Sequence, residues 1–308
     1  MIVILSGGTG GAKLIEGLAA EVDPAELTII CNTGDDCFFH GLHISPDIDT
    51  IIYTLAGMSD AQKGWGIKGD TFTVLEQLGR LGNDTWFALG DQDLATHITR
   101  TRLLNDGRRL SEVTDRLRMS LGVRAAILPM SDDRVETRVA TPGGELSFQE
   151  YFVREHWQPD VTAVRYLGAE RSRPAPSVLE AIHDGAAIVI APSNPITSIG
   201  PILAVPGVRT ALQETAAPVV GISPIVGNAA ISGPAHKLMT ACGWDATALG
   251  AARGYGDFLD YFFVATEDEG RKSEIAKMGI DAVAANIRMD DLAGKRRLAR
   301  ELLALVGE

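Results

Sequence analysis

Residues able to handle phosphate and to activate an alcohol recur in this chain at a series of short turns. The first, Ser6-Gly7-Gly8-Thr9-Gly10-Gly11-Ala12-Lys13, lets the backbone approach a ligand closely, and the exposed N–H groups of a following helix favour a phosphate. It has neither P-loop spacing nor the orthodox glycine spacing of a dinucleotide fold. Gly8 and Thr9 are its candidate binding residues, and Lys13 either touches the anion or is an ordinary solvated lysine. Next come Asn32-Thr33-Gly34-Asp35-Asp36 and Ser45-Pro46-Asp47-Ile48-Asp49-Thr50, which set carboxylates beside hydroxyls and amides. That donor set suits Mg2+, which binds through one or two carboxylates plus substrate phosphate and keeps several waters. Asp47 or Asp49 is equally able to cap a helix over 48–55.

Three further turns extend the pattern. In Leu89-Gly90-Asp91-Gln92-Asp93-Leu94-Ala95-Thr96-His97, Asp91 or Asp93 suits a site or a helix N-cap, and His97 a site or the core. Two prolines stiffen Ala191-Pro192-Ser193-Asn194-Pro195-Ile196-Thr197-Ser198-Ile199-Gly200, where Ser193, Asn194, Thr197 and Ser198 offer uncharged hydrogen bonds to a nucleotide. Ser223-Pro224-Ile225-Val226-Gly227-Asn228-Ala229-Ala230-Ile231-Ser232-Gly233-Pro234 repeats that logic, with Asn228, Ser232 and Gly233 as candidates. Trp65, flanked by Gly64 and Gly66, either borders a flat ligand or packs as an ordinary aromatic residue. Cys31 and Cys37 read as small buried residues, since no adjacent base pattern supports a nucleophile.

The turns follow apolar, partly β-branched runs at 2–5, 27–31, 125–128, 186–190 and 218–222, the signature of strands buried on both faces of a parallel sheet. Helical spacing at 12–21, 71–81, 94–105, 111–121, 177–184 and 234–242 lies between them. Alternating β and α elements predict an α/β, Rossmann-like, doubly wound and mostly parallel sheet with its crevice at the strands' carboxyl ends. Segments 134–140 and 145–152 flank Thr141-Pro142-Gly143-Gly144 and predict a β-hairpin, so residues 134–167 read as an insertion into a core of 1–133 and 168–308. The stretch 290–306 predicts a terminal amphipathic helix with its basic residues solvated.

Bulk properties narrow the class. A net charge of −12 disfavours nucleic acid and anionic membranes as partners. Three cysteines, an odd number without metal-type spacing, argue against a disulfide scaffold and suit a reducing cytoplasm. No apolar stretch reaches the length of a spanning helix, and the start lacks a signal-peptide pattern. A homodimer is compatible with these features.

Eight ordered blocks spanning about three quarters of the chain resemble the 2-phospho-L-lactate transferase family: SGGTGGAKL, NTGDD, ISPDIDT, WGIKGDTF, LGDQDLATHI, ILPMSDD, APSNPITSIGPI and SPIVGNAAISGPAHKLM. The resemblance implies a Mg2+-dependent transfer of a phospho-acid from a guanosine diphosphate-linked donor to the deazaflavin alcohol Fo, with release of GMP, in coenzyme F-420 biosynthesis. It implies Asp49 and Asp47 as catalytic residues, and Asp49 with Asp36 as metal ligands. Asp49, Asp91, Gln92 and Trp65 would meet Fo, and Gly8, Thr9, Ser193, Asn194, Thr197, Ser198, Asn228, Ser232 and Gly233 the donor's GDP portion, with Asn32 and Thr33 also binding substrate. Lactate, enolpyruvate and glycerate remain open as the donor's acid. Two competing readings are a non-catalytic nucleotide-binding regulator and, with Asp35 or Asp36 on the ribose, an NAD-dependent oxidoreductase.

Overall fold

The computed structural model describes residues 1–60, 63–227, 229–230 and 233–307. In chain order the first part runs β1 (Ile2–Ser6), α1 (Gly8–Ala19), β2 (Leu27–Cys31), β3 (Cys37–Phe39), β4 (Leu42–Ile44), α2 (Pro46–Leu55), α3 (Thr73–Arg80), α4 (Asp91–Asn105) and α5 (Leu110–Ser120). The middle holds β5 (Ala126–Pro129), β6 (Glu136–Thr141), β7 (Gly144–Ser147), β8 (Ala163–Leu167), α6 (Val178–Asp184), β9 (Ala187–Ile190), α7 (Gly200–Ala204) and α8 (Val208–Glu214). The last part is β10 (Val219–Ile222), β11 (Ile225–Val226), β12 (Ala229–Ala230), α9 (Ala235–Ala241), α10 (Ala248–Tyr255), β13 (Tyr261–Ala265), α11 (Lys272–Ala276), β14 (Asp281–Ala285) and α12 (Leu292–Val306).

Seven strands form a wholly parallel sheet in the order β14-β13-β10-β9-β1-β2-β5. Its cause is visible in the strand sequences. Along β1, Val3 and Leu5 enter one apolar cluster while Ile4 enters the other; β9 does the same with Ile188 and Ile190 against Val189. Period-two runs that are apolar at every position must be covered on both faces. Leu14 and Ile15 of α1, Ile48 and Ile52 of α2, Val113 of α5 and Leu298 of α12 cover one face. Ile182 of α6, Val208 of α8, Leu238 of α9 and Leu249 of α10 join the other. The expected doubly wound α/β architecture is what the chain adopts.

Two expected boundaries shift for physical reasons. Helix α1 begins at Gly8 rather than residue 12, so the glycine turn is itself the first helical turn. Glycine permits this because a Cβ on Gly11 would stand 1.9 Å from the Ser6 hydroxyl oxygen. In the hairpin, the second strand stops at Ser147, where the Glu150 carboxylate accepts from the Ser147 N–H (2.9 Å) and the chain turns into a short π-helix over Glu150–Arg154. Strand β8 adds to β6, giving a three-stranded antiparallel sheet in the order β7-β6-β8. This small sheet docks at the carboxyl ends of the parallel strands. The Thr137 N–H donates to the Gly34 carbonyl (2.7 Å), the Gln149 amide to the Asp35 carbonyl (3.2 Å), and the Tyr166 hydroxyl to the Ile196 carbonyl (2.5 Å).

Candidate active site

Strand order reverses between β1 and β9, and the loops leaving these two strands meet there. The Ser193 hydroxyl donates to the Gly7 carbonyl (2.6 Å), and the Gly7 N–H points back to the Ser193 oxygen (3.2 Å). Asn194 accepts from the N–H groups of Ile196 (2.9 Å) and Thr197 (3.2 Å), which fixes the second loop in a polar turn. A Cβ on Gly7 would lie 2.5 Å from an Asp47 carboxylate oxygen and 2.8 Å from the Ser198 Cβ, so no other residue fits. Gly8 takes φ +67°, in the left-handed region. Helix α1 therefore opens with no side-chain cap, and its first turn carries no acidic residue. The Gly8 N–H is taken by Asp47, and the N–H groups that follow it at the start of this twelve-residue helix attract anions. The Gly7→Ala variant is expected to weaken binding of an anion at this helix start by roughly tenfold or more, the effect of about 1.4 kcal/mol; titration of pyrophosphate into both proteins checks this.

The loops border a cavity of about 570 Å3, within the range of small-molecule sites. Asp35, Asp47, Asp49 and Asp93 line it with His97 and Tyr53. Burial holds the Asp35 carboxyl well above the usual carboxylate range, and the neighbouring Asp47 charge adds to this. Asp47 is pushed up to about 6 by burial, against hydrogen bonds from the Asn32 amide (2.8 Å) and the Gly8 N–H. One Asp35 oxygen has no protein partner. Asp49 is different, because both its oxygens are held by the Arg100 guanidinium, which is wholly buried. His97 sits between two carboxylates, with Nδ1 3.7 Å from Asp49 and Nε2 3.2 Å from Asp93. The Tyr53 hydroxyl also donates to Asp93 (2.6 Å). Burial raises the Asp93 carboxyl, but His97 and Tyr53 outweigh it and hold the group below its ordinary value. Trp65, Phe87, Phe148, Phe152 and Trp157 also line the cavity.

A family model for the 2-phospho-L-lactate transferase CofD matches residues 2–303. The chain belongs to the CofD family. A phosphoenolpyruvate transferase of Streptomyces griseus is 47% identical, the match covering 100% of this chain and 98% of the relative. A 2-phospho-L-lactate transferase of Methanococcoides burtonii is 42% identical over 99% of each chain. Among solved structures, a UPF0052 family protein of Bacillus halodurans superposes with a TM-score of 0.63 at 17% identity, covering 98% of both chains, a likeness of fold.

Within this CofD chain, most of the residues that the sequence singled out converge. Gly8, Thr9, Asp47, Asp49, Trp65, Ser193, Asn194, Thr197, Ser198 and Gly233 all line the cavity. Asn32 stands behind it, donating to Asp47 and to the Thr197 carbonyl (3.2 Å), and Thr33 is buried with an unpartnered hydroxyl. Asn228 and Ser232 lie outside the described residues.

Three assignments shift. Asp91 is not in the lining: its carboxylate accepts from the Thr71 hydroxyl (2.7 Å) and the N–H groups of Thr73 and Val74 (both 3.0 Å), so it caps α3. Asp70 returns the favour by accepting from the N–H groups of Gln92 (2.8 Å) and Asp93 (3.1 Å) at the start of α4, and Gln92 is also absent from the lining. Asp36 is also absent from the lining: one oxygen accepts from the Ser45 hydroxyl (2.7 Å) with the His43 ring 3.7 Å off, and the other is buried without a partner; burial foremost, then Arg100, pushes that imidazole down to about 4. The sequence reading gave no role to Arg100, Tyr53 or the aromatic residues after 147. Asp93, His97 and Arg100 share one helix face, at spacings of four and three, which is a legible signal; the aromatic residues of the insertion have none.

Proposed function

We propose that this CofD chain transfers a phospho-acid from a guanosine diphosphate-linked donor to the ribityl hydroxyl of Fo, releasing GMP, in coenzyme F-420 biosynthesis. What carries this reading is the make-up of one cavity, lined together by a helix start without a side-chain cap, buried carboxylates and five aromatic side chains. A diphosphate and a flat heterocycle thus have separate places in a single site. The diphosphate lies at Gly8–Gly10, the guanosine side at Asn194, Thr197 and Ser198, and the acceptor ring against Trp65 and the insertion. The acceptor oxygen bonds to the phosphorus bearing the acid, and that phosphorus loses its bridging oxygen, which leaves with GMP. Alignment is the chain's main contribution to such a reaction. The hydroxyl proton leaves to solvent; Asp93, with one oxygen taken by the Tyr53 hydroxyl and the other by His97, fixes the imidazole. Asp49, locked by Arg100, braces the other side of the His97 ring.

A divalent cation fits the site. Asp35 and Asp47 repel each other in a buried space, one Asp35 oxygen is unpartnered, and Asp47 sits at the very helix start that a phosphate needs. Among the described residues no group of three or more His, Cys, Asp or Glu side chains is arranged to hold a metal, so substrate phosphates complete the set, as is usual for Mg2+. Asp35 and Asp47 would hold the ion, in place of the Asp49 and Asp36 pair that the sequence suggested. When bound, the ion neutralises charge on the transferring phosphate. Because Asp47 protonates at about 6, cation affinity is expected to fall as pH drops below that value, read from Mg2+ titrations of GDP-bound protein between pH 5 and 8.

Relatives named phosphoenolpyruvate transferase match at 45–47% identity, and those named 2-phospho-L-lactate transferase at 40–42%. An enolpyruvyl donor is accordingly the first to offer. GMP release from enolpyruvyl, lactyl and glyceryl donors, with and without Fo, tests the reading: release that needs Fo supports it. GDP binding with no Fo-dependent release from any donor would instead support the regulator.

A further inference from the structure

A turn of the insertion is held in a costly shape directly over the cavity. His156 and Trp157 are consecutive, carry Cβ atoms and both lie in the left-handed region, with φ 49° and 48°. Side chains disfavour that region, and such residues persist where surrounding contacts enforce them, often at ligand clamps. Both line the cavity, and the Trp157 ring is 43% exposed, so core packing does not explain its placement. The Trp157 N–H donates to the Tyr151 carbonyl (2.8 Å) and the Gln158 N–H to the Glu155 carbonyl (3.0 Å), and one ammonium from outside the insertion gathers the rest of the turn. Lys237 Nζ donates to the carbonyls of Trp157 (3.1 Å), Gln158 (2.8 Å) and Pro159 (3.2 Å), using all three of its hydrogens, with the Asp160 carboxylate 3.9 Å away. Lys237 rides on α9, directly after Gly233 and Pro234, which line the same cavity.

We propose that Lys237 is a positioning residue that clamps the 156–159 turn, so that Trp157 forms one wall of the subsite for the acceptor's flat ring, with Trp65 as another. This rests on the deazaflavin acceptor argued above. Trp65, from the segment before α3, is likewise 43% exposed on this cavity. Two half-bare indoles carried by separate segments of the chain suit an offset stack with a flat heterocycle. All three Lys237 hydrogens go to the 157–159 turn and none to the start of α1, so the donor's half of the site is independent of the clamp.

The test compares wild type with Lys237→Met, Lys237→Arg and Trp157→Ala. Lys237→Met is expected to raise KM for Fo roughly tenfold, the loss of one ring contact, with kcat changed much less and GDP affinity unchanged. Trp157→Ala should do the same, and Lys237→Arg, which still donates to carbonyls, should recover most of the affinity. Amide exchange over 155–160, measured without any ligand, should quicken in Lys237→Met while β9 and β10 stay protected. Unchanged exchange there would show that Lys237 does not hold the turn and would overturn the inference, whatever the enzyme's activity. Faster exchange with normal Fo binding would overturn the ring subsite. If the wild-type protein binds GDP but not Fo, the acceptor assignment itself fails, and the ring subsite with it.

Discussion

Replacing Arg100 with methionine is expected to lower folding stability by about 3–5 kcal/mol, because it strands the Asp49 charge inside the protein. Arg100 is among the largest wholly buried side chains of the described residues and holds both Asp49 oxygens, and its Nε has no hydrogen-bond partner. Removing one member of a buried ion pair is far more damaging than removing both. The double variant Arg100→Met with Asp49→Leu should therefore regain much of the loss. Urea unfolding at pH 7 reads both effects. A single-variant loss below about 1 kcal/mol, typical of an exposed ion pair, would show that water reaches Asp49. The pair also explains why Asp49 is assigned an orienting role in the site, since a carboxylate with both oxygens committed is poorly placed to bind a metal or take a proton.

The second large effect concerns Asp35 and Asp47. Asp35→Asn is expected to reduce kcat/KM on the order of 10²- to 10³-fold, or about 2.7–4 kcal/mol of transition-state stabilisation, and to raise the Mg2+ concentration needed for half activity. Stability should move the opposite way. Asp47 protonates at about 6 in the fold against 3.8 in the open chain, so its favourable contribution is complete below about pH 4 and is lost as pH rises through 6. The cation-free wild type should thus lose stability across that window. Asp47→Asn should flatten the loss, and thermal melts at pH 4.5 and 7 in chelator compare the two. A wild type as stable at the higher pH as the variant would mean the carboxylate pair is already satisfied without a cation.

How much of this was legible in the sequence depends on whether the signal is local. Strands β1, β2, β5, β9 and β10 announce themselves because a strand covered on both faces must be apolar throughout, as Ile2-Val3-Ile4-Leu5 is. Tyr261–Ala265 carries the same mark although no expectation covers it, while Asp281–Ala285, with three alanines, carries none and is a strand only because β13 pairs with it. Within the site, the glycine turn and the Ser193–Ser198 turn were readable from composition at strand ends. The allocation among aspartates was not. Asp49 looks like a metal ligand until Arg100, fifty-one positions away, closes on it, and Asp91 looks like a substrate contact until the start of α3 folds back to it. Asp35 was named within its motif and as a ribose ligand in the competing oxidoreductase reading; it becomes a cavity carboxylate because the insertion's Gln149 and Thr137 pin the 34–35 turn. These are tertiary pairings, which no spacing rule encodes.

In the proposed reaction the acceptor hydroxyl attacks the phosphorus carrying the acid rather than the one carrying guanosine. Mass spectrometry of a complete reaction with Fo, Mg2+ and the enolpyruvyl donor decides between the two directly. Attack at the acid's phosphorus gives GMP and a phospho-acid diester of Fo in equal amounts, the expected result. Guanylylated Fo with free phospho-acid would overturn the proposal, and would place the donor across the cavity in the reverse orientation.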